Sequence, residues 1–288
     1  ADEQQAIEAA IHNGAAGVLC IEPPVIDASG VSVLMVSNPV DALLAWSQRV
    51  IERCQTRVIA VAGSSDRLMT VEAIARVLSL RYQVHCGGDA DGRLSVPLAV
   101  AHLRPEHDFL VIGLSPTGPG DMAAMAAALR PRMGVCTHID CLHTPGFNNC
   151  DAYRDEQAVL MQRLAPGGLA VLNYDDDASR NLSALADVRA FTVGIDRFGA
   201  DLLAFNVVTG LASTGFDLRH GAQRYVGRSV ALLGQYKLYA ALAAVAAGIE
   251  FDVPVDDALR VLADLQPLPG RMKPLIGQAN CLLVDDSY

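Results

Sequence analysis

The chain's 288 residues, 51% of them hydrophobic, supply enough apolar material for the core of one large domain or two ordinary ones. With 32 acidic against 22 basic residues the net charge is −10, which opposes the clustered basic surface of a nucleic-acid binder. The longest apolar stretch, residues 238–249, falls short of the about 20 residues that cross a bilayer, and the opening Ala1-Asp-Glu-Gln-Gln5 lacks the basic and apolar regions of a secretory signal, so a cytoplasmic protein without a membrane span is expected.

Apolar clusters of strand length alternate with helical patterns along most of the chain, the signature of an α/β protein with a mainly parallel sheet flanked by helices. Residues 4–13 read as a helix, 18–20 and 33–36 as short strands, and 39–54 as a long amphipathic helix whose lone Trp46 is read as a core anchor. Together they form a small, partial N-terminal α/β unit, residues 1–56. Val58-Ile-Ala-Val-Ala62 then supplies a continuous apolar run of the kind buried on both faces of a parallel sheet, followed at once by a glycine and a polar turn. A helix is expected over 70–80, strands at 82–85, 109–112, 134–136, 169–172 and 190–193, and helices near 120–129 and 156–164.

Cys136, His138, Cys141, His143 and Cys150 crowd one short stretch and are of types that can ligate zinc, but the simpler reading is a strand end with buried thiols. Seven cysteines without a C-x-x-C pair read as free thiols in a reducing compartment. From about residue 202 shorter β-like pieces, 203–208 and 224–232, precede two helices at 235–247 and 255–265. The chain closes on the strand-like Cys281-Leu-Leu-Val-Asp-Asp-Ser-Tyr288, which is expected to lead into a further domain.

A buried strand, a glycine-bearing turn and a helix form the geometry that presents backbone N–H groups and a helix N-terminus to phosphate. A working phosphate loop needs G-x-x-x-x-G-K-[ST], in which the second glycine lets the backbone approach, the lysine meets the terminal phosphates and the hydroxyl holds magnesium. Gly63-Ser-Ser-Asp-Arg-Leu-Met-Thr70 meets few of these needs. Asp66 sets a negative charge where phosphate oxygens would lie, Leu68 cannot ligate a metal, and Arg67 replaces the charge of a lysine without its compact geometry.

Several segments in order carry a resemblance to a known family. Arg57-Val-Ile-Ala-Val-Ala-Gly63 resembles the strand before a G-[ST]-[ND]-G-K-T-[ST] loop, and Ser95-Val-Pro-Leu-Ala-Val-Ala-His-Leu103 resembles G-V-P-L-T-x-x-x-L. Thr137-His-Ile-Asp-Cys-Leu-His143 is similar to T-N-I-x-x-x-H, Val171-Leu-Asn-Tyr-Asp-Asp176 to L-N-x-D-D, Pro269-Gly-Arg-Met272 to P-G-R-M, and Asp285-Asp-Ser-Tyr288 to the start of D-D-S-Y-N-A-N-P. These segments identify the chain as resembling the Mur ligases, closest to their MurF branch, which join an amino acid or dipeptide to a UDP-linked muramyl peptide with ATP and magnesium ion, Mg2+. The resemblance implies a central ATPase-type domain over residues 57–275, with 1–56 from a UDP-substrate-type domain and 276–288 the start of a C-terminal domain.

By the same resemblance, Gly63, Ser64, Ser65, Arg67, Thr70, Asn173, Asp176 and Arg271 are the nucleotide-binding candidates. Asn173, Asp175 and Asp176 are equally at home as turn formers after a strand. His143 falls where the family has a histidine near its metals and is the one catalytic candidate, a structural role being its alternative. The family's loop lysine and threonine fall on Arg67 and Leu68, its magnesium-binding glutamate on Gly113, and its carbamylated lysine on Gln157; no metal ligands are assigned. Its adenine-contacting G-x-H-N-x-x-N reads Gly234-Gln-Tyr-Lys-Leu-Tyr-Ala240. Phosphoryl transfer rests on positioning and electrostatic stabilisation, where one lost contact costs about 10²–10³ in rate. The expected protein is therefore a MurF-like homologue with a decayed ATP site, the alternatives being an active ligase with a loop rebuilt around Arg67 and a non-catalytic small-molecule-binding α/β module.

Overall fold

The computed structural model describes residues 3–88, 90–140, 146–184, 187–278 and 281–287. A small unit opens the chain: α1 (Glu3–His12) packs on a two-stranded parallel sheet of β1 (Gly17–Cys20) and β2 (Ser32–Met35). α2 (Pro39–Cys54) follows, started by Asn38, whose side chain accepts from the N–H groups of Val40 and Asp41, with Pro39 in the first turn where its missing N–H costs nothing. The buried face of α2 is made by Leu44, Ser47 and Ile51. Trp46 points away from it and is 42% exposed, so it is not the core anchor expected from its apolar bulk.

The main body is a nine-stranded sheet. In chain order it contains β3 (Arg57–Ala62), α3 (Arg67–Leu78), β4 (Val84–Gly87), α4 (Ser95–Val100), β5 (Phe109–Gly113), α5 (Asp121–Leu129), β6 (Met133–Cys136), α6 (Cys150–Gln162), β7 (Leu169–Asn173), α7 (Asp177–Asn181) and β8 (Arg189–Ile195). A meander of β9 (Leu202–Thr209), β10 (Thr214–His220) and β11 (Gln223–Val230) completes it. The spatial order is β11-β10-β9-β8-β7-β6-β3-β5-β4, parallel from β4 to β9 and antiparallel beyond. Parallel strands buried on both faces need continuous apolar sequence, and β3, β5, β6 and β7 supply it.

One face of the sheet is covered by α3, α8 (Leu238–Glu250) and α9 (Val255–Leu262), the other by α2, α4, α5 and α6. Ten successive residues of α8, Leu238 to Gly248 with Tyr239 excepted, are buried, and its alanines let α3 and the sheet approach closely. β12 (Lys273–Ile276) and β13 (Leu282–Asp285) close the chain as an antiparallel hairpin, which the sequence boundary at 275/276 divides. β10, α4, α7 and β12 are elements the sequence pattern hid, while α6 begins six residues before its expected start because Asn149 caps it through the Ala152 N–H. No helix among the described residues is long and apolar enough to cross a membrane.

Candidate functional site

The strand order turns back beside β3: β5 and β4 lie to one side of it and β6 to the other, so the carboxyl ends of β3 and β6 flank a switch point, where α/β sheets bind ligands. β3 delivers Gly63 to this edge. Its φ is +128, and a Cβ would stand 2.2 Å from Thr137 Oγ1 and 2.9 Å from the His138 carbonyl, so only glycine fits. The loop that follows spends its polar groups on its own surroundings. Gly63 N–H donates to Gln157 Oε1 at 3.1 Å. The Ser64 N–H and Oγ donate to the His138 carbonyl at 2.8 and 3.0 Å, and Ser64 Oγ accepts from the Asp140 N–H at 2.7 Å. Thr137 Oγ1 donates to the Ser65 carbonyl at 2.8 Å.

Asp66 adopts the left-handed conformation, φ 51 and ψ 19, at the position where a phosphate loop carries glycine; aspartate is among the few other residues that tolerate it. The turn therefore completes early and α3 begins at Arg67, three residues ahead of the helix expected from Thr70. Thr70 is buried and its hydroxyl donates back to the Asp66 carbonyl at 2.9 Å, which occupies it within its own helix.

Arg67 does not enter the cleft. Its side chain lies over Gly113 at the end of β5, where an added Cβ would meet Arg67 Cγ, Nε and Cδ at 3.1, 3.1 and 3.2 Å, and its Nη2 is 3.7 Å from Asp91 Oδ1. The Arg67 charge also reaches Tyr153, whose hydroxyl pKa burial raises and Arg67 partly restores. Below the loop Gln157 is fully buried, with Oε1 on Gly63 and Nε2 without a hydrogen-bond partner among the described residues. Burial pushes the neighbouring Cys136 thiol up to about 12, which keeps it an inert core group. Cys150 is disulfide-bonded, which corrects the expectation of free thiols throughout.

A cavity of about 440 Å³ opens between the ends of β3, β6 and β7 and the start of α8. Ser65, Asp66, Thr70, Asn173 and Asp176 line it, together with His138, Asp140, Asp175, Tyr236 and Tyr239. The buried Asn173 spends both ends of its amide on backbone: Nδ2 donates to the Thr137 carbonyl at 2.9 Å and Oδ1 accepts from the Asp175 N–H at 3.0 Å. Asp176 caps α7 through the Ala178 N–H at 3.1 Å, accepts from the Ile139 N–H at 2.8 Å and lies 3.1 Å from His138 Nδ1. Asp175 Oδ2 accepts from the Ile195 N–H at 2.6 Å and from the Tyr239 hydroxyl at 2.8 Å, and its buried Oδ1 has no hydrogen-bond partner among the described residues. From the far wall Lys237 reaches across to form an ion pair with Asp66.

Of the sequence candidates, the structure thus brings Ser65, Thr70, Asn173 and Asp176 to one cleft and sets Gly63 and Ser64 in the frame beneath it. It puts Arg67 over β5 and Arg271 in a separate cavity of about 380 Å³ with Leu68, Gly87 and Pro269. His143 lies outside the described residues. Asp140, Tyr236 and Tyr239, which line the cleft, and Lys237, which pairs with Asp66 at its edge, are the residues that sequence reasoning did not assign; the signal available was the spacing of Tyr236, Lys237 and Tyr239 over one helical turn after Gly234.

A doubly wound parallel sheet with a glycine turn, a helix and a cleft at the switch point defines an α/β protein of the phosphate-loop architecture. The chain belongs to the Mur ligase family: residues 61–248 match the Mur ligase middle domain. It is 27% identical over 279 residues to UDP-N-acetylmuramoyl-tripeptide–D-alanyl-D-alanine ligase of Escherichia coli (strain K12), an alignment that covers 91% of this chain and 61% of that protein. MurF from Acinetobacter baumannii superposes with a TM-score of 0.89 at 23% identity, over 99% of this chain and 62% of that one. MurF ligase from Thermotoga maritima in complex with ADP gives 0.84 at 20% identity, over 99% and 65%. The chain spans about three fifths of the length of the curated relatives it matches.

The residues at the family's magnesium positions do not fit that ion. Leu68 and Gly113 offer no side-chain oxygen, the volume above Gly113 holds Arg67, and Gln157 has its one side-chain oxygen on Gly63 N–H. Among the described residues no group of three or more His, Cys, Asp or Glu side chains can hold a metal ion.

Proposed function

We propose that this chain is a MurF-like relative of the amide-forming Mur ligases whose ATP and Mg2+ machinery has decayed, and that it serves as a binding or scaffolding relative of those enzymes. The observation that carries the reading is the position of Arg67. The residue that would replace the loop lysine lies over Gly113, away from the cleft and on the volume of the missing acidic side chain. Carboxylates of Asp66, Asp140, Asp175 and Asp176 line the cavity instead, an unfavourable setting for the charge of a triphosphate. By kinship the substrates of an ancestral activity are ATP and a UDP-linked muramyl peptide, handled in the cytoplasm by domains of which residues 1–56 and 276–288 are parts.

Calorimetry of the chain with ATP and magnesium tests this. No binding at micromolar ligand is expected, together with no ATP hydrolysis above background; micromolar affinity that is lost in Arg67→Ala would overturn it. One observation favours an active ligase with a rebuilt loop as the second reading: Asp66 keeps the left-handed turn of the loop, so the backbone retains a phosphate-accepting shape. Turnover of ATP dependent on a muramyl-peptide acceptor would establish that second reading.

A further inference from the structure

The Asp66–Lys237 pair joins residues 171 apart in sequence, one at the start of α3 and one just before α8, and closes over the cleft between them. Both side chains are largely shielded, Lys237 at 15% and Asp66 at 16% exposure. An aspartate at a helix N-cap ordinarily accepts from the N–H groups of the first turn. Asp66 makes no such bond, so its carboxylate is given to the lysine rather than to its own helix, and the first N–H groups of α3 gain no cap from it. Arg67 lies over Gly113, whereas Lys237 meets Asp66 at the loop itself, beside the cavity-lining Tyr236, which makes it the cation placed to meet an anion there. The loop base also carries a donor in reserve: Gln157, fully buried and bound to Gly63 N–H through Oε1, has no partner for Nε2 among the described residues.

We propose that the Asp66–Lys237 ion pair is the specificity element of the cleft: Asp66 occupies Lys237 and repels polyphosphate anions, and loss of the Asp66 carboxylate alone turns the loop into a polyphosphate site with Lys237 as its counter-charge. The proposal rests on the reading of the unaltered cleft as one that rejects triphosphate. Among the four carboxylates that line the cavity, it identifies Asp66, the one at the loop and paired with a lysine, as the one whose removal frees a cation for the anion. Electrostatics fixes the sign, because a carboxylate at the loop opposes a polyanion while a released ammonium in a shielded cleft attracts one. Local backbone is not the obstacle, since glycine adopts a φ of 51 freely and asparagine tolerates it.

The test is calorimetry of the full chain with inorganic pyrophosphate, without added metal, on the unaltered protein and on Asp66→Gly, Asp66→Asn, Lys237→Met and the double variant Asp66→Gly/Lys237→Met, with thermal unfolding as the check of fold. Both Asp66 variants are expected to bind pyrophosphate at least about tenfold more tightly than the unaltered chain, equivalent to about 1.4 kcal/mol. The gain is expected to vanish in the double variant. Absence of a gain in folded Asp66→Asn, persistence of the gain without Lys237, or tight pyrophosphate binding by the unaltered chain would each overturn the proposal. Failure of the decayed-site reading is separable, because it shows as ATP binding with magnesium by the unaltered chain, whereas the dependence on Lys237 is read from pyrophosphate alone.

Discussion

Arg67 and Gly113 occupy each other's space: the arginine's Cγ and Nε lie 3.1 Å from where a Gly113 Cβ would stand. The contact is with the middle of the arginine side chain, not its free end, so a methyl group there forces Arg67 to move as a whole. Gly113→Ala is expected to cost about 1–3 kcal/mol, the usual range for overpacking a filled core. In an Arg67→Ala background the same change is expected to be close to neutral. A double-mutant cycle by denaturant unfolding checks this; coupling of at least about 0.5 kcal/mol is expected for residues in contact, and additive costs would show that Arg67 does not hold that volume.

Gly63 is the loop residue under the tightest constraint. Its positive φ of 128 and the 2.2 Å approach of Thr137 Oγ1 act together, so Gly63→Ala should cost about 2–3 kcal/mol. Thr137→Ala in that background should return only part of the loss, since the His138 carbonyl remains 2.9 Å from the new Cβ. Thermal unfolding of the single and double variants measures both. Full rescue by Thr137→Ala would mean that the hydroxyl alone sets the constraint.

The strand pattern was legible because parallel strands buried on both faces must be continuously apolar, and β3, β5, β6 and β7 were placed to within one residue at either end from that property. β10 escaped because Thr214-Gly-Phe-Asp-Leu-Arg-His220 alternates burial and carries glycine and charge, a pattern its meander neighbours explain and its own composition does not. Trp46 misled because bulk was read as burial, whereas a helix lying on the body of the protein has an outer face that also tolerates an aromatic. The faults in the loop were visible residue by residue. Their consequence, that Arg67 turns to Gly113 and Lys237 comes from 171 residues away to Asp66, depends on tertiary proximity that no local pattern encodes.

Tyr239 stands at the back of the cleft with its hydroxyl donating to Asp175 at 2.8 Å. Burial first, and then the negative charge of Asp175, push its pKa well above the ordinary tyrosine range. A folded pKa raised above the unfolded value means that the unfolded chain gives up this proton first as pH rises. The stability it contributes is therefore complete below about pH 10, the unfolded tyrosine value, and is lost above it. Tyr239→Phe is expected to cost about 1.5–3 kcal/mol at neutral pH, the range for a hydrogen bond to a charged group. It should also flatten the loss of stability above about pH 10. Spectroscopic titration of tyrosinate in the unaltered chain and in Tyr239→Phe should show that the lost signal belongs to a group ionising above the ordinary tyrosine range; a lost signal within that range would refute the burial argument.

Three histidines meet at the β4 edge of the sheet. His85 stacks on His107 with ring centroids 5.2 Å apart, and His102 lies 6.4 Å away. His85 has its pKa lowered, first by burial and further by the nearness of His107 and His102, against the pull of the Ala99 carbonyl that its Nε2 contacts at 3.0 Å. A base whose folded pKa is depressed takes up its proton more readily when unfolded. Its stabilising effect is thus whole above about pH 6.5, the unfolded histidine value, and drains away as pH falls from there toward the lower folded value. The expected outcome is a fall in unfolding free energy between about pH 7 and pH 5 that is shallower in His85→Gln than in the unaltered chain. Urea unfolding across that range measures the slope directly, and an unchanged slope in the variant would place the acid sensitivity on other groups.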